Sequence, residues 1–290
     1  MRVLITGSDG QLGTDLCKVL NNHTLIPLTI KDGDICDFSF VSNQFNRSKP
    51  DVIINTAAYV RVDDCEDNKE LAFQVNAIGA RNVAVVAEKL GSKLVHISTD
   101  YVFGGETAIR YVPYTEFDEP IPCNLYGRSK LAGEKFVIHL CSKHMIVRSS
   151  ALFGTAGAMG KGGNFIETIL RIATENKELR VVNDQIFSPT FTHDLALRIS
   201  QLIETDYYGT FHVTNSGICS WYEFAVQILA EAGYKNDVIP ITSAQFPQKA
   251  ARPRYSVLDN FHCRLLKFSE MRDWKSALKE YFVQRGYTGK

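Results

Sequence analysis

Short apolar runs alternate along the chain with longer stretches in which apolar residues recur every three or four positions. Val3-Leu4-Ile5, closed by Thr6-Gly7, has the form of a strand buried on both faces. A helical stretch follows over 10–20, then a strand over 25–30 and another at Val52-Ile53-Ile54, announced by Pro50-Asp51. Leu71, Val75 and Ile78 stand at helical spacing and predict a helix within 69–90. Leu94 to Ile97 reads as a strand, 126–140 as a helix and Met145-Ile146-Val147 as a further strand. Beyond residue 150, helical stretches near 164–176, 193–204, 220–232 and 274–284 accompany a strand at Thr210 to Val213.

Strand and helix in alternation with short connections predict an α/β fold. The expected form is a Rossmann-type, doubly wound parallel sheet with a smaller C-terminal α/β substrate domain. The expected division is a dinucleotide-binding domain over 1–155 and a mainly substrate-binding one over 156–290, with segments around 190–215 able to return to the sheet. Ala156 to Gly163, rich in glycine and small residues, is the expected flexible crossing.

Gly7-Ser8-Asp9-Gly10-Gln11-Leu12-Gly13 spells GxxGxxG between the first strand and the first helix. Glycines there let the backbone approach a pyrophosphate, and the free N–H groups of a helix start favour that anion. An NAD-selective site usually has an acidic residue at the end of its second strand for the ribose 2′-hydroxyl. Here that strand ends Leu28-Thr29-Ile30-Lys31 with no carboxylate in that place; Lys31 can meet a 2′-phosphate, although a solvated lysine is the commoner reading, and NADPH is the expected cofactor, with NADH open.

Tyr126 and Lys130 are four residues apart at the start of a helix and share one face. A nearby ammonium favours the phenolate and is expected to pull the tyrosine toward neutrality, suiting it to exchange a proton with a carbonyl oxygen. The strand ending His96-Ile97-Ser98-Thr99-Asp100 supplies hydroxyls to the same crevice. Thr99 is assigned to the substrate carbonyl, with Ser98 beside it as the fallback and on the cofactor side.

Composition excludes other classes. The 290 residues are 45% hydrophobic and 22% charged, which rules out a disordered or fibrous chain. Thirty-two Lys and Arg balance 32 Asp and Glu, so the basic excess of a general nucleic-acid binder is missing, although a local basic patch is not excluded. No run approaches the roughly 20 apolar residues of a membrane span, and the opening MRVLITG lacks a signal-peptide layout. Seven scattered cysteines, never paired as CxxC, read as free thiols of a reducing cytoplasm. His96 is read as a core histidine, Trp221-Tyr222 as packing, and the acidic run Asp63-Asp64-Cys65-Glu66-Asp67 as a solvated loop or helix N-terminus.

Together these residues resemble the extended short-chain dehydrogenase/reductase superfamily and, more narrowly, the dTDP-4-dehydrorhamnose reductase family, over the whole length. The motifs that carry the resemblance are Ser98-Thr99-Asp100-Tyr101-Val102-Phe103 and Tyr126-Gly127-Arg128-Ser129-Lys130-Leu131-Ala132-Gly133-Glu134. Asn183-Asp184-Gln185 with Pro189-Thr190, and Ala251-Arg252-Pro253 with Ser256 and Leu258, add to them. The similar 4,6-dehydratases carry Asp-Glu after the threonine, whereas Asp100 is followed here by Tyr101.

The resemblance implies reduction of the C4 ketone of a deoxysugar nucleotide with NADPH or NADH. It implies Gly10, Gln11 and Leu12 at the pyrophosphate, Asp37-Phe38 near the adenine, and Ala57, Ala58 and Tyr59 on the ribose and nicotinamide side, with Asn76 close by. Thr99, Asp100 and Arg252 fall on the substrate side, and Ala151 stands where the family often has a tryptophan packed on the sugar. Phe187 replaces a family glycine, and the loop between Asp100 and Tyr126 is longer, with Gly104-Gly105 in it. Some members bind magnesium through clustered acids at a dimer contact. Asp15 is the one such acid here, so no metal is expected, and a homodimer is compatible. A non-catalytic reading, resembling the regulatory subunit of methionine adenosyltransferase, and a reductase or epimerase of another sugar nucleotide are the alternatives.

Overall fold

The computed structural model describes residues 1–108, 110–156 and 163–287, so the expected crossing at Ala156 to Gly163 lies almost wholly outside the described residues. The first half carries β1 (Arg2–Thr6), β2 (Thr24–Leu28), β3 (Val52–Asn55), β4 (Lys93–Thr99) and β5 (His144–Ser149). Four short strands follow: β6 (Leu152–Phe153), β7 (Glu178–Val182), β8 (Ile186–Phe187) and β9 (Thr190–Phe191). After them come β10 (Gly209–His212), β11 (Cys219–Ser220) and β12 (Asp237–Ile241).

Six of these strands form one sheet in the order β10-β5-β4-β3-β1-β2, and every pairing within it is parallel. Parallel strands are covered on both faces, which is why Val3, Leu4 and Ile5 are all buried without alternation. The sequence order reverses at β1, with β2 on one side and β3 on the other, and a crevice opens there at the carboxyl ends of the strands.

One face is covered by α1 (Gln11–Val19) and α8 (Thr192–Ile203), through Leu16, Leu195 and Ile199 against Val3, Ile5 and Phe211. The other is covered by α2 (Phe38–Ser48), α5 (Ala80–Leu90) and α6 (Leu125–Leu140), through Phe45, Val83 and Val137 against Leu4 and Ile53. Residues 192–212 thus supply a helix and an edge strand to the sheet built by the first half. A separate apolar cluster joins α7 (Phe165–Glu175), α9 (Trp221–Glu231) and α11 (Trp274–Gln284), with Phe153, Phe191, Phe224 and Tyr281 at its centre. Beside it β7 pairs in parallel with β12, and β8 antiparallel with β11. The remaining helices are α3 (Val62–Asp67), α4 (Lys69–Phe73) and α10 (Phe261–Leu265).

The helix expected within 69–90 is α4, a π-helical stretch at Gln74–Gly79, and α5 in continuous succession. Its buried side is not the one the large apolar residues marked. Leu71 is 46% exposed and Val75 and Ile78 are half-buried, while Ala72, Asn76, Ala77, Gly79 and Ala80 face inward. The cause is a close approach to α6: a Cβ on Gly133 would lie 2.2 Å from the Asn76 carbonyl oxygen, so only small residues fit between the two. The strand expected over 25–30 ends at Leu28, and Ile30 is exposed.

A buried ion pair fastens α6 to β5. Arg148 donates from Nε to Glu134 Oε1 (3.0 Å) and from an Nη to Oε2 (2.7 Å), and its other Nη meets His212 Nε2 at 3.4 Å. Glu134 is 0% exposed, so losing it strands a buried guanidinium. Glu134→Ala should cost about 3–5 kcal/mol, read as a lowered urea midpoint with an unchanged slope.

Candidate active site

The glycine loop lies in the crevice at β1. Gly7 has φ +66°, and a Cβ on Gly13 would sit 2.3 Å from the Gly7 carbonyl oxygen, so the turn into α1 admits no side chain there. Gly10 is the N-cap of α1 and leaves the first-turn N–H groups uncapped by any side chain. A cavity of about 460 Å³ opens over this loop. Gly7, Gly10, Gln11, Leu12 and Gly13 form one wall, and Ala57, Ala58 and Tyr59 form another. Ser98, Tyr126 and Lys130 close its inner end, where the Ser98 hydroxyl has no protein partner although the residue is buried.

Four residues expected to touch a cofactor do not line this cavity. The Asp37 carboxylate accepts from the Ser39 N–H and caps α2, and Phe38 stands outside under the Lys89 ammonium. Asp34 and Ile35 occupy the wall instead. Asn76 is buried behind the wall: it accepts from the Tyr59 N–H (2.8 Å) and donates to the Tyr59 carbonyl (3.0 Å) and the Ser129 hydroxyl (2.9 Å). It holds the 57–59 loop rather than facing the cavity. Lys31 is likewise exposed and off the wall, which Thr29, Ile30 and Gly33 form at that end.

A second cavity of about 330 Å³ adjoins the first, and Gln11, Ser98, Tyr126 and Leu152 border both. Tyr126 sits in the first turn of α6, which Asn124 caps by accepting from the Gly127 N–H at 2.8 Å. Burial raises the Tyr126 phenol above its ordinary range, with the Thr99 hydroxyl working the other way and the Asp100 carboxylate adding to the rise. The expected pull from Lys130 is not what sets it. The Lys130 ammonium donates to the Ile97 carbonyl at 2.7 Å. Burial lowers its pKa to about 8, against the opposing charge of Glu134. Tyr126 therefore holds its proton at neutral pH.

Thr99 and Asp100 lie opposite. Thr99 Oγ1 donates to Asp100 Oδ1 at 3.1 Å and accepts from the Tyr101 N–H at 3.2 Å. The other Asp100 oxygen accepts from Ser150 Oγ (2.9 Å) and Ser256 Oγ (2.6 Å). Burial raises this carboxyl to about 6, while the three hydroxyls oppose the shift. The far wall is aromatic: Phe187 and Trp221 are 4.0 Å apart between ring centroids, and Phe165 lies 4.6 Å from Trp221. Trp221, read from the sequence as packing, is thus also a cavity wall. Ala151 borders the same space with φ +42°, an uncommon conformation for a residue with a side chain.

Arg252 does not line this cavity; Pro253 and Ser256 do. Its guanidinium donates to both oxygens of Asp63 (3.1 and 3.0 Å) and to the Ala250 carbonyl. The acidic run is accordingly more than a solvated surface, since Glu66 also accepts from the Leu125 N–H at 2.9 Å and Asp67 pairs with Lys249.

A family model described as RmlD substrate binding domain matches residues 1–286. The chain belongs to this family. It is 40% identical over 288 residues to the spore coat polysaccharide biosynthesis protein SpsK of Bacillus subtilis, covering 98% of each. It is 37% identical over 293 residues to a dTDP-4-dehydrorhamnose reductase of Aggregatibacter actinomycetemcomitans, covering 96% of this chain and 97% of the other. Among solved structures, a dTDP-4-dehydrorhamnose reductase of Bacillus anthracis in complex with NADP superposes with a TM-score of 0.92. It is 44% identical, over 98% of this chain and 99% of that one.

Two of the three departures noted against the family, Ala151 and Phe187, fall on one cavity. Asp15, the acid weighed for magnesium, is 1% exposed, accepts from Thr192 Oγ1 at 2.6 Å and pairs with Lys18 at 3.2 Å. Among the described residues, no group of three or more His, Cys, Asp or Glu is placed to hold a metal ion.

The Asp100 carboxyl couples this site to stability. Its folded value, about 6, lies above the ordinary 3.8, so between those pH values the folded chain keeps a proton that the unfolded chain has lost. Stability from this group is complete below about pH 4 and is lost as pH rises through about 6. Asp100→Asn removes the titration. From pH 4 to pH 7 the parent should lose about 2–3 kcal/mol relative to the variant, measured as the difference between their urea curves.

Proposed function

We propose that the chain is an NADPH-dependent reductase of the C4 ketone of a dTDP-bound deoxysugar, converting dTDP-4-dehydro-L-rhamnose to dTDP-L-rhamnose. The observation that carries this reading is the place of Tyr126. It holds a phenolic proton on the border of two adjoining cavities, with Lys130 toward the glycine loop and Thr99 on the sugar side. The fit of the first cavity to a dinucleotide rests on the side-chain-free turn at Gly7 and Gly13 and on the unpartnered Ser98 hydroxyl. Gly10, Gln11 and Leu12 would hold the pyrophosphate, Asp34 and Ile35 the adenosine end, and Lys130 and Ser98 the nicotinamide ribose. When bound, NADPH supplies the hydride.

The chain's own residues do the rest. Tyr126 gives its Oη proton to the ketone oxygen as that oxygen gains negative charge. Thr99 is held by its bonds to Asp100 and the Tyr101 N–H, and on substrate binding its one hydroxyl proton would turn from Asp100 to the carbonyl oxygen. Lys130, charged below about pH 8, keeps positive charge beside the developing oxyanion. The complete set of Tyr126, Lys130 and Thr99 favours catalysis over a nucleotide-binding regulatory role. A second reading, reduction of a different keto sugar, is favoured by Ala151 and Phe187, which reshape the sugar side of the cleft. Among the described residues no helix is long and apolar enough to cross a membrane. The seven cysteines, none of them in a disulfide, suit a reducing cytoplasm, where we place the protein.

Adding dTDP-4-dehydro-L-rhamnose should drive rapid NADPH oxidation, with NADH run in parallel to rank the cofactors. Tyr126→Phe should lower kcat about 10²–10⁴-fold while NADPH affinity stays within a few-fold. Unchanged turnover would remove Tyr126 as the proton donor, and tight NADPH binding without oxidation would replace the proposed sugar or the enzymatic reading. The pH profile is a separate check. Because Lys130 loses its charge near pH 8 in the free protein, kcat/KM should fall above about that pH. A profile flat to pH 10 would contradict the role given to Lys130.

A further inference from the structure

A third cavity, of about 290 Å³, lies away from the catalytic cleft, between the end of β10, the segment 257–260 and the turn at 268–271. Arg198, on the buried side of α8, is one of its walls and is only 4% exposed. One Nη donates to the Ser269 carbonyl at 2.6 Å, the guanidinium lies 5.0 Å from the Phe268 ring centroid, and Nε has no hydrogen-bond partner.

A buried cation ordinarily stands against a carboxylate. The acids around Arg198 are committed elsewhere or face water. Asp194, one helical turn away, accepts from Arg272 at 2.7 and 2.6 Å and from Asn215 at 2.8 Å. Asp259 is paired with Arg264 through both oxygens, and Glu270 is exposed. Cys263, beside the guanidinium, supplies no countercharge: burial pushes its thiol up to about 11, although the positive charge of Arg198 draws it down. Among the described residues, none makes an ion pair with Arg198. The rest of the lining is suited to a small polar guest, with Thr214, Asn215 and Ser216 on the loop after β10.

We propose that this cavity is a binding site for a small oxyanion, the carboxylate or phosphate group of a metabolite, held against the guanidinium of Arg198. A guanidinium with no carboxylate partner matches an oxyanion in charge, and the Nη not bonded to Ser269 is the donor such a group would meet. The volume admits such a group with a short attached skeleton and excludes a nucleotide. The site is independent of the sugar assigned to the catalytic cleft.

The test is thermal unfolding of the NADPH-saturated protein, its glycine loop already filled, titrated at constant ionic strength with inorganic phosphate and, separately, with acetate. A saturable rise in Tm with either ion is expected, and the more effective one identifies the phosphate or carboxylate class. Arg198→Gln should weaken that binding at least tenfold, whereas general salt stabilisation would act on both proteins alike. Ile218→Trp, at the exposed lip of the cavity, narrows the mouth with Arg198 in place and should weaken binding as well. The proposal is overturned if the unmodified protein shows no saturable rise with either ion, or if both variants respond as it does.

Discussion

The cleft depends on how closely α6 approaches the segment in front of α5. Gly133 presses against the backbone at Asn76, where a single methyl group would collide. That contact places Ser129 against the Asn76 amide, and the same amide grips both the backbone N–H and the carbonyl of Tyr59. One buried side chain thereby fixes the helix that carries Tyr126 and Lys130 relative to the loop at 57–59 across the cavity. The π-helical stretch at 74–79 adds residues to the turn without breaking the helix, and π-bulges of this kind are frequent at functional sites.

The same closeness makes the site electrostatically costly. Drawing α6 onto the sheet buries Lys130, Glu134 and, through β5, Arg148 in one layer. Burial disfavours each charge, and mutual pairing offsets it. The carboxylate of Glu134 binds the Arg148 guanidinium directly and opposes the loss of charge on Lys130. The result is an ammonium that titrates near neutrality beside a tyrosine that keeps its proton. Pushing pKa values apart within one cleft is the usual way a site fixes which group gives a proton. Asp100 adds a third titration near pH 6, in a network that joins the end of β4 to Ser150 and Ser256.

What the sequence revealed follows from which constraints are local. The strands buried on both faces read as uninterrupted apolar runs, and the tyrosine–lysine pair and glycine loop are set by spacing within one turn, so all were legible. The inward face at 69–90 was not, because a helix packed closely on another selects small residues, and apolarity then marks the outer side. Asp34 and Asp37 could not be told apart either: both precede α2, and only the cap geometry shows that Asp37 is committed to Ser39 while Asp34 stands on the wall. Asp15 and Asp63 each find their partners in segments far along the chain, Thr192 and Arg252, and no local pattern announces such a pairing.

The sugar side of the cleft shows how two substitutions can be read together. Ala151, Phe187 and Trp221 line the same cavity, and the last two place their rings 4.0 Å apart on its far wall. The ring of Phe187 lies on β8, braced by Trp221 at the start of α9, while the position after β5 carries only the methyl group of Ala151. In the proposed complex a sugar would meet these rings on one side, with its ketone toward Tyr126 and Thr99. In the proposed reaction the proton donor and its threonine belong to α6 and the end of β4, whereas the aromatic wall belongs to β8 and α9, so reaction and sugar choice rest on different elements.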